Sequence, residues 1–238
     1  ACVEEKQAAP AGAVAVHRFP GEEIQNSLSA DPDGMYVITD YALYHMVADD
    51  HGTPGVVWRE AYLRSNTYRY GNINNGSGST PTLMDDERGR KYVVITDAGE
   101  DRTGLVVYRR EAQVSGPRQI CRVPLFGERS AVEISPIGWG RSVVVKNDSG
   151  YRSAFHGTSE AAIAGGIMRI DVREDDSGCD VVWTAPQRVP AVVAKLSTNG
   201  LLYFYTFEAQ PDGENAWYFL ALDFVTGDPR VAPLVALG

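Results

Sequence analysis

Short runs of apolar residues, alternating with polar ones and cut at close intervals by Asp, Gly, Pro and Asn, dominate this chain. The plainest case lies between Asn199 and Gly227, where residues 201–207 and 217–224 flank a turn-rich segment holding Asp212 and Gly213. Aromatic and branched residues on both sides of such a segment predict a β-hairpin, with a second stop at Thr226 and Gly227. Helical periodicity is almost absent; only residues 159–164 have the composition for a turn of helix.

A similar block recurs three times upstream. Residues 21–62 hold four short apolar runs separated by the turns Pro32-Asp33-Gly34 and His51-Gly52. Residues 63–78 are polar and glycine-rich, and predict a connection. Residues 78–126 repeat the order, as do 129–186, with an insertion at 149–164, and then 189–238. VVWRE in the first unit and VVWTA in the third fall at the same place, which puts Trp58 and Trp183 in register.

Four units of roughly 40 to 60 residues, each a four-stranded antiparallel meander, match the blade period of a β-propeller. The prediction is one all-β domain over residues 1–238, with four blades and a partial one. Residues 1–19 are expected to form the outer two strands of a preceding blade. The two ends do not supply each other's missing strands, so the expectation is a piece of a larger ring, the alternative being a compact ring of four or five units with an irregular seam.

Composition narrows the partners. The 238 residues are 44% hydrophobic and 22% charged, ordinary for a folded domain with its own core. A formal net charge of -9 opposes binding to phosphate backbones or anionic lipid, which argues against nucleic acid. No run approaches the roughly 18 apolar residues of a membrane-spanning helix. Cys2, Cys121 and Cys179 form no C-x-x-C pair and so no structural zinc pattern. Cys121 and Cys179 are read either as a bonded pair or as two buried thiols. Cys2, following Ala1, has the look of a processed lipoprotein end.

The segments EEIQNSLSADPDGMYVITDYALYHM, VVWREAY, GSGSTPTLMDD, VVITDAG, GCDVVWTAPQRVPAVVAKLS, LLYFYTF and AWYFLALDFVTG resemble quinoprotein-like β-propellers, and most closely uncharacterised bacterial ones. The resemblance covers most of the chain and implies the fold, together with a secreted or periplasmic location. It implies no agreed reaction. Pyrroloquinoline quinone (PQQ) enzymes carry blades with Ala-x-Asp-x-x-Thr-Gly-x-x-x-Trp; Ala221, Asp223, Thr226 and Gly227 match, and Val231 stands at the Trp position. In those blades the Asp and Thr close the turn and the Trp docks on the next blade. One partial match, without the adjacent cysteines of the alcohol-oxidising members, argues against a bound PQQ.

In a propeller, chemistry gathers at the central channel and its mouths. The first strand of each unit offers Asn26 and Ser27, Thr80 and Thr82, Glu133 and Ser135, and Lys195. Asn26, Thr80, Thr82, Glu133 and Lys195 are thus candidate ligand-binding residues, or simply wetted channel walls. Glu133 and Lys195 make a candidate acid and base, with His156 a further candidate base. His17, His45 and His51 are set aside. The second strands end at Asp40, at Asp97, and at Asn147 with Asp148. Converging at one mouth, these oxygens suit Ca²⁺, although an Asp at a strand end also caps the following turn through its own backbone. Trp139 lies between glycines in PIGWGRS, where an exposed indole stacks on a sugar or a protein, or covers the end of the core.

H-E-x-x-H, G-x-S-x-G, G-x-x-x-x-G-K and a complete EF-hand loop are all missing. The leading expectation is therefore a noncatalytic propeller that binds a small molecule or a protein at its channel mouth. Two alternatives remain: a Ca²⁺-dependent, lactonase-like hydrolase, and a quinone-dependent oxidoreductase.

Overall fold

The computed structural model describes residues 14–67, 72, 74–151, 163–190, 195–209 and 215–230. Every regular element among them is a β-strand. Blade 1 contains β1 (Ser29–Asp31), β2 (Gly34–Ile38), β3 (Ala42–Ala48) and β4 (Pro54–Ala61). Blade 2 contains β5 (Thr82–Asp85), β6 (Lys91–Thr96), β7 (Gly104–Arg109) and β8 (Gln119–Pro124). Blade 3 contains β9 (Ile137–Trp139), β10 (Ser142–Lys146), β11 (Ile167–Val172) and β12 (Cys179–Ala185). Blade 4 contains β13 (Lys195–Leu196), β14 (Leu201–Ala209) and β15 (Asn215–Asp223). Each sheet is an antiparallel meander in chain order. Past β15 a single bridge joins Leu222 to Pro229, and the expected last strand otherwise lies outside the described residues. Residues 14–28 join no ladder, but Phe19 packs edge-on against Tyr44, on the face of blade 1 turned away from blade 2.

The apolar runs are continuous in the middle strands because each blade is buried on both faces. In β6, Tyr92 and Val94 point into the seam with blade 3, whereas Val93 and Ile95 point into the seam with blade 1. In β10, Val143 and Val145 meet blade 2 and Val144 meets blade 4. A period of two thus feeds two cores from one strand. The outer strands β4 and β12 are largely exposed, β4 burying Trp58 and β12 burying Trp183 and Ala185, while β8 is mostly half-buried. Successive sheets stacked face to face in this way are the blades of a β-propeller.

Blades 1, 2 and 3 share a further device. The third and fourth strands slip register between His45 and Met46, Val107 and Tyr108, and Arg169 and Ile170, two or three residues past the start of each third strand. One fourth-strand residue, Val57, Ile120 or Val182, is left unpaired, as in a β-bulge. The last residue paired before the bulge is Trp58, Cys121 or Trp183. Each of the three fastens its blade to the next. Trp58 lies under the Arg118 guanidinium, 4.5 Å from the ring centroid. Cys121 is bonded to Cys179 of blade 3, with a Cα separation of 5.9 Å, which settles the two cysteine alternatives. Trp183 donates from Nε1 to the Phe224 carbonyl at 3.0 Å and lies flat on Gly227. Only glycine fits there: φ is +78°, and an added Cβ would come within 2.7 Å of the indole.

Candidate functional site

The residues singled out as metal ligands lie at one mouth, where the β2–β3, β6–β7 and β10–β11 hairpins turn. VITD occurs at both 37–40 and 94–97 and suggests that Asp40 and Asp97 are equivalent, but the hydrogen bonds place them one residue apart. Backbone N–H groups of Thr39, Asp97 and Asn147 close their hairpins onto Ala42, Gly104 and Gly166. Asp97 therefore corresponds to Thr39 and Asn147, while Asp40 and Asp148 correspond to Ala98. A one-residue slip reverses side-chain direction, so Ile38 faces blade 2 whereas Ile95 faces blade 1.

Each of these side chains already has a task in its own blade. Thr39, Asp97 and Asn147 accept from the backbone N–H two residues on, at 3.2, 3.2 and 3.0 Å, a turn cap in all three blades. Asp97 is fully buried, also accepts from Gly104 N–H at 2.7 Å, and forms an ion pair with Arg122. Asp40 takes the Glu23 N–H at 2.7 Å and pairs with Arg64 at 3.0 Å. Asp148 takes the Glu133 N–H at 2.9 Å and pairs with Lys146. Among the described residues, no three His, Cys, Asp or Glu side chains lie together as a metal-ligand group. Asp40, Asp97, Asn147 and Asp148 are not brought into a shared ligand sphere.

The channel candidates are partly used as stitching. Asn26 Nδ2 donates to the Ser77 carbonyl at 2.9 Å, and Thr82 Oγ1 to the Pro136 carbonyl at 3.0 Å. The Thr80 N–H donates to Ser135 Oγ at 3.1 Å. Ser29 Oγ to the Pro81 carbonyl repeats the Thr82 contact one blade earlier. Of the residues expected on first strands, only Thr82 and Lys195 lie in one; Asn26, Thr80, Glu133 and Ser135 precede theirs, and the contacts of Asn26, Thr80 and Thr82 lace neighbouring blades together. Glu133 lies against Gly78, where an added Cβ would meet its Oε2 at 2.7 Å and the Val132 carbonyl at 2.1 Å. Lys195 opens β13, its side chain lying outside the described residues, as does all of His156.

The open cleft is at the opposite mouth, where the first-to-second and third-to-fourth strand turns meet. It encloses about 410 Å³ across three blades. Blade 2 gives the turn from Asp86 to Arg90, blade 3 gives Trp139 to Ser142 with Arg169, Asp171 and Glu174, and blade 4 gives Phe224. Trp139 pairs with Ser142 across the two-residue turn Gly140-Arg141, with Gly140 at φ +57°, which suits a tight hairpin with glycine first. The turn holds Trp139 at the rim, 62% exposed.

Below it three arginines are matched to acids. Arg90 bridges Asp86 at 2.7 Å and Asp176 at 3.0 Å, Arg88 pairs with Glu174, and Arg169 pairs with Asp171 at 2.7 Å. Arg169 also reaches the Phe224 carbonyl at 2.9 Å and stacks over its ring at 4.2 Å. Arg141 Nη1 is buried with no hydrogen-bond partner. Burial works to raise the Asp86 carboxyl, but hydrogen bonds from the Arg90 backbone and guanidinium and the Arg88 N–H outweigh it and hold the group below its ordinary value. Sequence reasoning singled out Trp139 but not Arg141, whose only signal is its place in PIGWGRS.

No family model matches the chain. An "Uncharacterized protein" of Archaeoglobus fulgidus is 40% identical over 91 residues, which is 38% of this chain and 17% of that one. Among solved structures, a protein from Lactobacillus plantarum aligns with TM-score 0.53 and 12% identity, over 90% of this chain and 55% of its own. Saccharomyces cerevisiae Sqt1 aligns with TM-score 0.51 and 9% identity, over 87% and 47%. The chain thus spans about half of each solved relative, and these likenesses bear on fold alone.

Proposed function

We propose that this chain is a noncatalytic binding propeller whose recognition surface is the cleft roofed by Trp139. The observation that carries the reading is the pairing of an exposed indole with a buried, unpartnered Arg141 donor in one cleft. The lining suits binding better than turnover. Ser142 is its one hydroxyl and faces the Arg169 guanidinium at 3.1 Å, and histidine is absent from it. Among the described residues, three of the four lining carboxylates, Asp86, Asp171 and Glu174, are ion-paired, Glu87 being the exception, whereas a general acid needs a carboxyl raised toward neutrality. A calcium-dependent hydrolase would first have to release Asp40, Asp97 and Asp148 from their cations and backbone donors.

The match to the pyrroloquinoline quinone blade motif rests on the Asp223 turn. Asp223 accepts from the N–H groups of Val225 and Thr226, at 2.8 and 3.0 Å, and Thr226 accepts from Asp228 at 3.2 Å. That use supports a shared blade construction and offers nothing for a quinone. The Cys121–Cys179 bond supports an oxidising compartment, hence a secreted or periplasmic setting. The reading is tested by probing glycan and peptide arrays with the wild-type chain and Trp139→Ala. Signals that vanish in the variant, from compounds recovered unchanged, bear it out. Signals indifferent to Trp139, or compounds recovered as products, refute it.

A further inference from the structure

The chemistry of the cleft goes further than the bare fact of binding. Trp139 holds a flat apolar surface in water at the rim. Such a surface gains most from a ligand with a flat apolar side of its own, such as the C–H face of a pyranose ring. Arg141 lies in the turn that follows Trp139 and lines the same cleft, so its guanidinium and the indole serve one ligand together. No acid among the described residues is paired to Arg141, and its Nη1 is buried without a hydrogen-bond partner, so an acidic ligand supplies the counter-charge that the guanidinium lacks. A carboxylate fits best, because a guanidinium fork accepts it through two parallel charge-assisted bonds.

The other charges sharpen the choice. Arg88, Arg90 and Arg169 are each neutralised by an acid of the lining or its edge, which leaves Arg141 as the cation to be satisfied. The paired carboxylates keep lone pairs for ligand hydroxyls. The net charge of -9 opposes a densely charged polyanion and favours a neutral sugar carrying an occasional acid. A bare phosphate would satisfy Arg141 and leave Trp139 unused. The volume of about 410 Å³ lies within the ~300–1,000 Å³ of small-ligand sites.

We infer that the cleft binds a carboxylated saccharide, with a pyranose face on Trp139 and the uronate carboxylate on Arg141; this rests on the reading of the cleft as a ligand site. The experiment is calorimetric titration of the full chain with an aldotriouronic acid, its methyl ester and a neutral trisaccharide, followed by mass analysis of the recovered sugar. The acid is expected to bind, and the ester roughly ten- to a hundred-fold more weakly. Arg141→Gln should weaken the acid to the level of the ester and leave the ester unchanged, while Trp139→Ala removes both. Equal binding of acid and ester, a comparison that needs no variant, overturns the carboxylate assignment yet leaves a binding propeller standing. Failure of all three sugars, with or without binding of a Glu-containing acidic peptide, overturns the saccharide class. Recovery of cleaved sugar keeps the ligand class and refutes instead the noncatalytic function.

Discussion

Removing the Cys121–Cys179 bond tests how the seam between blades 2 and 3 is held. The bond spans 58 residues, which include β9, β10 and β11, so it closes a long loop in the unfolded chain. Loop-closure entropy for that length is about 14 cal/mol/K, or about 4 kcal/mol at 25 °C. Native disulfides return about 2–5 kcal/mol when removed, because strain and residual structure offset part of the entropy. In the other two seams the equivalent position holds a buried tryptophan, whereas a Cys121→Ser/Cys179→Ser variant leaves two small polar groups there. The expected loss is about 3 kcal/mol, read as a lower urea midpoint, with wild type in reductant showing the same shift. Thiol counting by mass, native against reduced, should differ by two labels. A variant with the wild-type midpoint, or wild type indifferent to reductant, would refute the claim that this bond fastens the seam.

Other outcomes follow from the same contacts. Asp97→Ala should cost about 3–5 kcal/mol in urea unfolding, since it strands Arg122 and the buried Gly104 N–H, without altering ligand affinity at the opposite mouth. Asp40→Ala, whose Arg64 partner is partly solvated, should cost about 1 kcal/mol or less. Trp183→Phe should lose about 1 kcal/mol more than Trp58→Phe, because Trp183 Nε1 holds the Phe224 carbonyl whereas Trp58 Nε1 is buried with no partner; equal losses would remove the bond from the account. His45 is held below its ordinary value chiefly by burial, against the opposing effect of its bond to the Asp33 carbonyl. A folded value below the unfolded one means the unfolded chain binds the extra proton first. His45-linked stability is therefore intact above about pH 6.5 and falls as pH drops through that value toward the lower folded one. Subtracting the stability–pH curve of His45→Gln isolates this slope, and parallel curves would dismiss it. Gly78→Ala should cost about 1–3 kcal/mol by overpacking against the Val132 carbonyl, while Gly127→Ala, with open space around it, should cost less than 1.

The blades were legible in the sequence because they rest on turn residues and apolar runs, both local signals. Trp58 and Trp183 were legible as register marks because VVW recurs. Cys121 was not recognised as the third member of that set, since nothing local shows that a cysteine occupies the position of the two tryptophans. The carboxylate mouth misled for a sharper reason. VITD at 37–40 and 94–97 is identical as text, but each copy meets its hairpin one residue out of step, and the pairing that decides this lies in β3 and β7. Asp97 is consequently a turn cap locked to Arg122 rather than a counterpart of Asp40. Thr82 likewise has the composition of a channel wall, and only the adjacent blade reveals the Pro136 carbonyl it serves.

The cleft escaped sequence reasoning because no single unit contains it. Asp86 to Arg90 come from blade 2, Trp139 and Arg141 from blade 3, and Phe224 from blade 4, so the site exists only where two seams are closed. Those seams are fastened by the disulfide and by Trp183 on Gly227, at the outer strands, with Trp183 also holding the carbonyl of the cleft residue Phe224. A ligand that touches all three blades meets a surface already ordered by those fastenings, and loses less of its binding energy to ordering the protein. If that is how the cleft is held, reducing Cys121–Cys179 should weaken binding at Trp139 before it unfolds the chain. Affinity that survives reduction unchanged would mean that the Arg88 and Arg90 bridges to the β11–β12 turn are enough to hold blades 2 and 3 in place.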